Sequence, residues 1–413
     1  MILTMNDSIA INAPVAERIN QLDILRGFAL LGILIMNIQA FSMPFSTYIN
    51  PTLWGDLTGT NQWVWIISNV FADLKFMSLF SILFGAGICL FADKAMAKTG
   101  NSTGLHYRRN LWLLLFGLLH GYLIWFGDIL VPYALTGFIV YLFRNKSSSF
   151  LIKLSSFFLF IMVSFSLLTH YALTSQLIPE ADLVFIENIW TPSLPELQNE
   201  VAAYIGSYSE QFNVRFKYTS FLQTQAFISG SFWRIASMML LGMALYKNGV
   251  LTGKRSNGFY FKLAIVGLVI GLGLSSYGVM SNFSHNFSLE YSMMLGAQFN
   301  FIGSVLTCLG YIAIVNLLIN YSVLTGLQKR LAAVGQMAFT NYIFHSLVCT
   351  SIFYGFGLGL FGALERIEQI MIVLIIWAVQ LWYSLIWLQK YRFGPLEWLW
   401  RSLTYWQKQP FLR

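Results

Sequence analysis

What most constrains this chain is a series of ten apolar runs, starting near Ile24, Leu74, Asn110, Ile129, Phe150, Phe227, Tyr260, Gln298, Leu331 and Glu368. Each is close to the roughly 20 residues that a helix needs to cross a bilayer core about 30 Å thick. Most are closed at their ends by charge or by clusters of Pro, Gly and Asn, and none alternates with the period of roughly 10 residues expected of membrane β-strands. Composition agrees: 57% of the 413 residues are hydrophobic and 10% charged, with a mean hydropathy of +0.63, where a soluble domain has about a quarter of its residues charged. A soluble globular fold is excluded. The predicted fold class is all-α, a polytopic membrane helix bundle of about ten transmembrane helices.

The net charge of +8 does not point to nucleic acid, because the cations sit in short clusters between apolar runs and form no continuous stripe. They act instead as a topology signal, since basic loops are retained in the cytoplasm. Clusters at Arg18 and Arg26, Lys94 to Arg109, Arg144 to Lys153, Lys247 to Lys262, Lys329 and Arg330, and Lys390 to Arg413 fall on one side of the predicted spans. The loops opposite hold only Arg215, Lys217 and Arg366. Both termini are therefore expected to be cytoplasmic. Residues 1–23, with neither a cationic start nor an apolar stretch, are expected to form a cytoplasmic segment and not a signal peptide.

Residues 24–173 then carry helices one to five and residues 227–389 helices six to ten. Residues 390–413 form an interfacial segment where Trp398, Trp400, Tyr405 and Trp406 flank Arg401. Between the two halves, residues 174–226 are acidic and contain Pro179, Pro192 and Pro195. Their pattern is compatible with a cap, a partner-docking surface, a helix lying on the membrane or a mobile lid, and no catalytic role is assigned to them. No inverted repeat of the transporter type is visible.

Function is sought among polar residues at membrane depth, because an ionisable group facing lipid costs about 2.5–3.5 kcal/mol even on insertion scales and so turns inward. Asp23, Arg26 and Asn37 mark the first span. The first two are spaced for an i,i+3 pair, and Arg26 and Asn37 lie about 20° apart around the helix. His120 falls at mid to outer depth of the third span between Gly117 and Gly121, a spacing that lets a neighbouring backbone approach. Asp128, eight residues on and about 80° round an unbroken helix, is expected to share its cavity without touching it. Asp73, Lys75, Arg234, Asn341 and His345 complete one outer-half layer, with Lys75–Asp73 and Arg234–Asp128 as neutralising pairs. Cys89, Cys308 and Cys349 show no metal or disulfide spacing, and no metal is expected. Gly357, Gly359 and Gly362 fit GxGxxG but lack the strand and helix that a dinucleotide site requires.

Longer stretches carry a resemblance. RINQLDILRGFALLGILIMN (18–37), KFMSLFSILFGAG (75–87), RRNLWLLLFGLLHGYLIWFGDILVPYALTG (108–137), GQMAFTNYIFHS (335–346) and FGPLEWLWRSLT (393–404) resemble the YeiB-like bacterial membrane proteins, domain of unknown function 418. The opening LDILRG segment is also similar to integral-membrane acyltransferases of the heparan-glucosaminide acetyltransferase type. That likeness implies acyl-CoA as co-substrate from the cytosol and a sugar acceptor beyond the membrane. In those relatives an Asn near the end of the first span and an Ala-Asp-Leu opening of the second match Asn37 and Ala72, Asp73 and Leu74. Their intervening His has no counterpart, since residues 38 to 72 contain none, and the role passes to His120 or His345.

The favoured expectation is a multi-pass acyltransferase of the bacterial inner (cytoplasmic) membrane. His120, Asp128, Asn37 and Lys75 are its catalytic candidates, and Asp73, Arg234, Asn341 and His345 its substrate-binding ones. Asp23, Arg26, Arg108 and Arg109 are placed at the mouth that meets the donor's phosphates. Expected partners are membrane lipids and an envelope glycan or small-molecule acceptor, with homo-oligomerisation left open and no nucleic acid. The alternatives are a transporter of a small metabolite or lipid, and a non-catalytic membrane protein.

Overall fold

The computed structural model describes residues 18–413, so most of the predicted segment 1–23 lies outside the described residues. Within them the chain is helical: α1 (Asn20–Ser42), α2 (Gly59–Phe71), α3 (Lys75–Thr99), α4 (Thr103–Leu123), α5 (Leu130–Val140), α6 (Ser148–Thr174), α7 (Glu180–Trp190), α8 (Leu194–Ile205), α9 (Tyr208–Gln223), α10 (Phe232–Lys247), α11 (Asn257–Ser284), α12 (Ala297–Asn320), α13 (Thr325–Gln336), α14 (Ala338–Phe353), α15 (Arg366–Lys390) and α16 (Pro395–Tyr405).

Among the described residues seven helical segments are long and apolar enough to cross a membrane: Asn20–Ser42, Gly59–Thr99, Ser148–Thr174, Tyr208–Lys247, Asn257–Ser284, Leu289–Asn320 and Arg366–Lys390. The other three predicted runs are also helical but fall short of that measure. α4 has 21 residues but is diluted by His106, Arg108, Arg109 and His120. α5 has only 11, about 17 Å of rise, and the run from Leu331 breaks at Met337 into α13 and α14. Outward faces carry large apolar side chains such as Phe160 and Leu168 on α6, Val269 and Met280 on α11, and Ile375 and Trp382 on α15, as expected of surfaces that meet lipid.

Tight packing follows small residues. A Cβ on Gly27 would lie 2.0 Å from the Leu331 carbonyl oxygen and one on Gly335 1.9 Å from that of Asp23, so α1 and α13 touch backbone to backbone. Gly85 and Gly242 join α3 to α10 in the same way. α1 lies centrally, packed on α3, α12, α13, α14 and α15. Its amino-terminal half rests on α13, whose chain continues into α14. There Glu397 of α16 accepts from the backbone N–H groups of Phe339 (2.6 Å) and Thr340 (3.0 Å). The first described residues and α16 therefore share one face, here the terminal face. Residues 174–226 hold α7, α8 and α9 at the opposite, cap face. Ser193 with Glu196 and Ser207 with Glu210 make capping boxes that start α8 and α9 as two helices.

Candidate active site

α4 stops at Leu123, where the N–H groups of Ile124 and Trp125 both reach the His120 carbonyl, at 2.9 and 3.0 Å. The chain then turns, with Trp125 stacked on Phe41 at 3.8 Å between centroids, and returns to start α5. This turn carries Asp128 back to His120. Its Oδ1 lies 2.8 Å from His120 Nδ1, and its Oδ2 accepts 2.8 Å from the Val131 N–H in the first turn of α5. The expectation that the two would not touch is thus corrected, because it assumed an unbroken helix to residue 128.

On the other side of the ring, His120 Nε2 is 2.8 Å from Ser346 Oγ on α14. With an anionic carboxylate at Nδ1, that nitrogen carries the proton, and Nε2 is free to accept from the Ser346 hydroxyl. The Tyr342 ring lies 5.1 Å from the imidazole, and the exposures of His120, Asp128 and Ser346 are 2%, 8% and 0%. A hydroxyl, a base and a carboxylate that orients the base, in consecutive hydrogen bonds, is the relation that turns a weak nucleophile into an effective one.

The remaining polar layer divides into three further groups. Lys75 donates from Nζ to the Asn69 carbonyl at 2.8 Å and to Asn300 Oδ1, and Asn300 Nδ2 donates to Asp73 Oδ2 at 2.8 Å. Lys75 and Asp73 are joined through this amide and not by the expected direct pair. Arg234 is not paired with Asp128 either. It donates to Ser78 Oγ (2.8 Å), Ser304 Oγ (2.7 Å) and the Phe301 carbonyl (3.1 Å), because α10 packs chiefly on α3 and α6 and turns this side chain between α3 and α12. The third network ties α14 to α15. His345 Nε2 meets Gln380 Oε1 at 2.7 Å, Gln380 Nε2 donates to the Asn341 carbonyl at 3.0 Å, and Asn341 Nδ2 donates to Ser384 Oγ at 3.1 Å. Asn37 is half-buried, and its side chain has no hydrogen-bond partner among the described residues.

At the terminal face Asp23 accepts from Arg26 at 3.0 Å, the expected i,i+3 pair, and also from Arg18. The Arg109 guanidinium lies between Phe91 (4.7 Å) and Trp400 (4.5 Å), and that of Arg108 lies 5.9 Å from Trp406. At the cap face a cavity of about 590 Å³ is lined by aromatic residues and by Asn188, Glu196, Glu200 and Lys217. Its residues Phe45 and Tyr218 pack on Phe126, at 5.8 and 5.5 Å, and the neighbouring Trp125 lies 6.3 Å from the His120 ring. Among the described residues no three His, Cys, Asp or Glu side chains gather as a metal site requires.

Comparison with known proteins agrees with this chain-wide pattern. The family described as "Protein of unknown function (DUF418)" matches residues 245–407. The chain is 31% identical over 94% of its length to "Uncharacterized protein YeiB" of Escherichia coli, covering 96% of that protein. It is 35% identical to "Uncharacterized protein YxaH" of Bacillus subtilis, over 96% of both chains. A third likeness, at 28% identity over 97% of this chain and 98% of the relative, is to "Uncharacterized 39.9 kDa protein in amylase 3'region" of Bacillus acidopullulyticus.

Proposed function

We propose, from the premise that this chain belongs to the YeiB-like family of membrane proteins of unknown function (DUF418), that it is an acyltransferase of the bacterial cytoplasmic membrane. Its termini are in the cytoplasm and Ser346 is its nucleophile. The observation that carries this reading is the buried Asp128–His120–Ser346 chain of hydrogen bonds. Acyl-CoA is the proposed donor and an envelope carbohydrate or similar molecule the proposed acceptor.

In the first half-reaction Ser346 Oγ attacks the thioester carbonyl carbon while His120 Nε2 takes the hydroxyl proton. Collapse of the tetrahedral intermediate breaks the C–S bond, and the proton passes from His120 to the departing sulfur. In the second, a hydroxyl or amine of the acceptor gives its proton to His120 and attacks the seryl ester, and Ser346 leaves with that proton. Asp128 holds the imidazole in the required tautomer and stabilises the imidazolium. Asn37 is the proposed donor to the developing oxyanion, because Lys75 Nζ is already committed to Asn69 and Asn300. Arg26, Arg108 and Arg109 are the proposed contacts of the donor's phosphates, and the cap-face cavity is the proposed entry of the acceptor.

Thioester loss from acetyl-CoA by the protein in nanodiscs tests the reading. His120→Ala, Ser346→Ala and Asp128→Asn are each expected to lower turnover by roughly 10³-fold or more. Equal turnover in wild type and Ser346→Ala would remove Ser346 from the role.

One observation favours a second reading, transport of a small metabolite or lipid. Lys75 and Asp73, joined through Asn300, and Arg234, held separately by Ser78 and Ser304, place three charged groups among α3, α10, α11 and α12 that share no hydrogen bond with His120, and α10 and α12 are each preceded by a π-helical turn, a frequent mark of functional sites. Uptake into sealed vesicles without any acyl donor, lost in Arg234→Gln, would establish it.

A further inference from the structure

The carboxyl end of α4 is closed by α9. Arg215 Nε donates to the Tyr122 carbonyl at 2.8 Å, Thr219 Oγ1 to that of Gly121 at 2.9 Å, and the Tyr208 hydroxyl to that of Leu123 at 2.8 Å. Capping a helix end with a cation is favourable in itself, but it occupies only one of the three guanidinium nitrogens. Nη1 and Nη2 are buried with no partner, and Arg215 as a whole is 0% exposed. Among the described residues no carboxylate lies within ion-pair distance of it. The Tyr208 ring lies 4.8 Å from the guanidinium carbon, which shelters the charge without supplying an acceptor.

The groups next to it are also short of partners. The hydroxyls of Tyr204 on α8 and Tyr354 just past α14 are buried without hydrogen bonds. Their rings are 4.8 Å apart, and Phe356 links them to the aromatic cover of Arg215, its ring lying 6.0 Å from Tyr354 and 6.4 Å from Tyr208. A bound neutral polar molecule would satisfy single atoms. Two parallel N–H donors on one edge of a guanidinium, with two phenolic donors beside them, match the two oxygens of a carboxylate.

We infer that Arg215 holds a carboxylate end-on through Nη1 and Nη2 at the cap face, with Tyr204 and Tyr354 as further donors. The ligand class is a small molecule or substrate portion bearing one carboxylate, and the site does not depend on the acyl-transfer reading. It lies close to the candidate site, because Arg215 binds the residue two past His120 and Tyr354 ends the helix that carries Ser346.

Thermal unfolding of the full chain in nanodiscs, followed by tryptophan fluorescence at constant ionic strength, tests this with sodium acetate replacing a bulky sulfonate as the anion. The expected result is a saturable rise in Tm of several degrees for wild type, at least tenfold weaker in apparent affinity for Tyr204→Phe/Tyr354→Phe and absent for Arg215→Gln. Should Arg215→Gln fail to fold, the double phenylalanine variant, which keeps the cation, still decides. A rise that does not saturate, or that is equal in wild type and double variant, overturns the assignment and leaves bound water as the partner of these groups. A saturable rise with chloride but not with acetate also overturns it, since the ligand would then not be a carboxylate.

Discussion

Neighbouring residues on α14 serve different networks, because one residue step turns a helix by about 100°. Ser346 faces α4 and His120, while His345 faces α15 and Gln380. His345→Ala is therefore expected to destabilise the protein by about 1–3 kcal/mol, the cost of leaving the buried Gln380 acceptor unpaired, while turnover per folded molecule stays within a few-fold. Ser346→Ala should do the reverse, and calorimetry beside a turnover assay separates the two. The His was legible in the sequence because buried ionisable groups are rare. The Ser was not, because a hydroxyl buried in a helix is common and carries no charge to explain; only its place beside His345 in GQMAFTNYIFHS could have raised it. A second residue-scale prediction concerns Glu200 on α8, which accepts from the Phe45 N–H at 2.9 Å and the Tyr218 hydroxyl at 2.7 Å. Burial pushes its carboxyl up to about 7 from 4.5. The folded state then holds a proton that the unfolded state releases, so this group's contribution is full below about pH 4.5 and is lost as pH rises towards 7. Replacing it by Gln should flatten the dependence of Tm on pH across that window; an unchanged slope would assign the dependence to another group.

Helix existence was legible at the scale of elements, and helix ends were not. All ten apolar runs form helices, since twenty apolar residues leave the backbone few other ways to satisfy its hydrogen bonds in lipid. The end of α4 escaped because Leu123 to Phe126 is as apolar as the helix before it. The stop comes from the tertiary contacts of Trp125 with Phe41 and of Asp128 with His120, and those contacts build the candidate site. One reading of residues 174–226 is a helix lying on the membrane; they form three helices, with a division between α8 and α9. Its signal was present as the repeated Ser-x-x-Glu at Ser193 and Ser207, around the Gly206 break. The close approach of α1 and α13 predicts that Gly335→Ala forces their backbones apart, since the added carbon would sit 1.9 Å from the Asp23 oxygen. A loss of about 1–3 kcal/mol is expected, as for overpacked cores. Gly258→Ala, on α11 with nothing within 4 Å of its Cβ, should leave stability within about 0.5 kcal/mol in the same denaturation assay.

For the molecule as a whole, composition was enough to exclude a soluble fold, but the grouping of polar residues was beyond it. One outer layer was expected, and four separate hydrogen-bonded groups are found, because membership depends on which helices are neighbours. Both described ends of the chain lie on the terminal face and α7 on the cap face, so an impermeant maleimide applied to intact spheroplasts should label Asp182→Cys and not Arg413→Cys. The native cysteines are all buried and add little background. Labelling of Arg413→Cys alone would invert the proposed orientation. The central claim, that Ser346 becomes acylated through His120, is tested most directly by intact-protein mass spectrometry after brief exposure to acetyl-CoA without acceptor. The account predicts an added acetyl mass that maps to Ser346, is absent in Ser346→Ala and His120→Ala, and disappears when acceptor is supplied. No added mass on a protein that nevertheless consumes acetyl-CoA, or an acetyl group mapped to another residue, would contradict it.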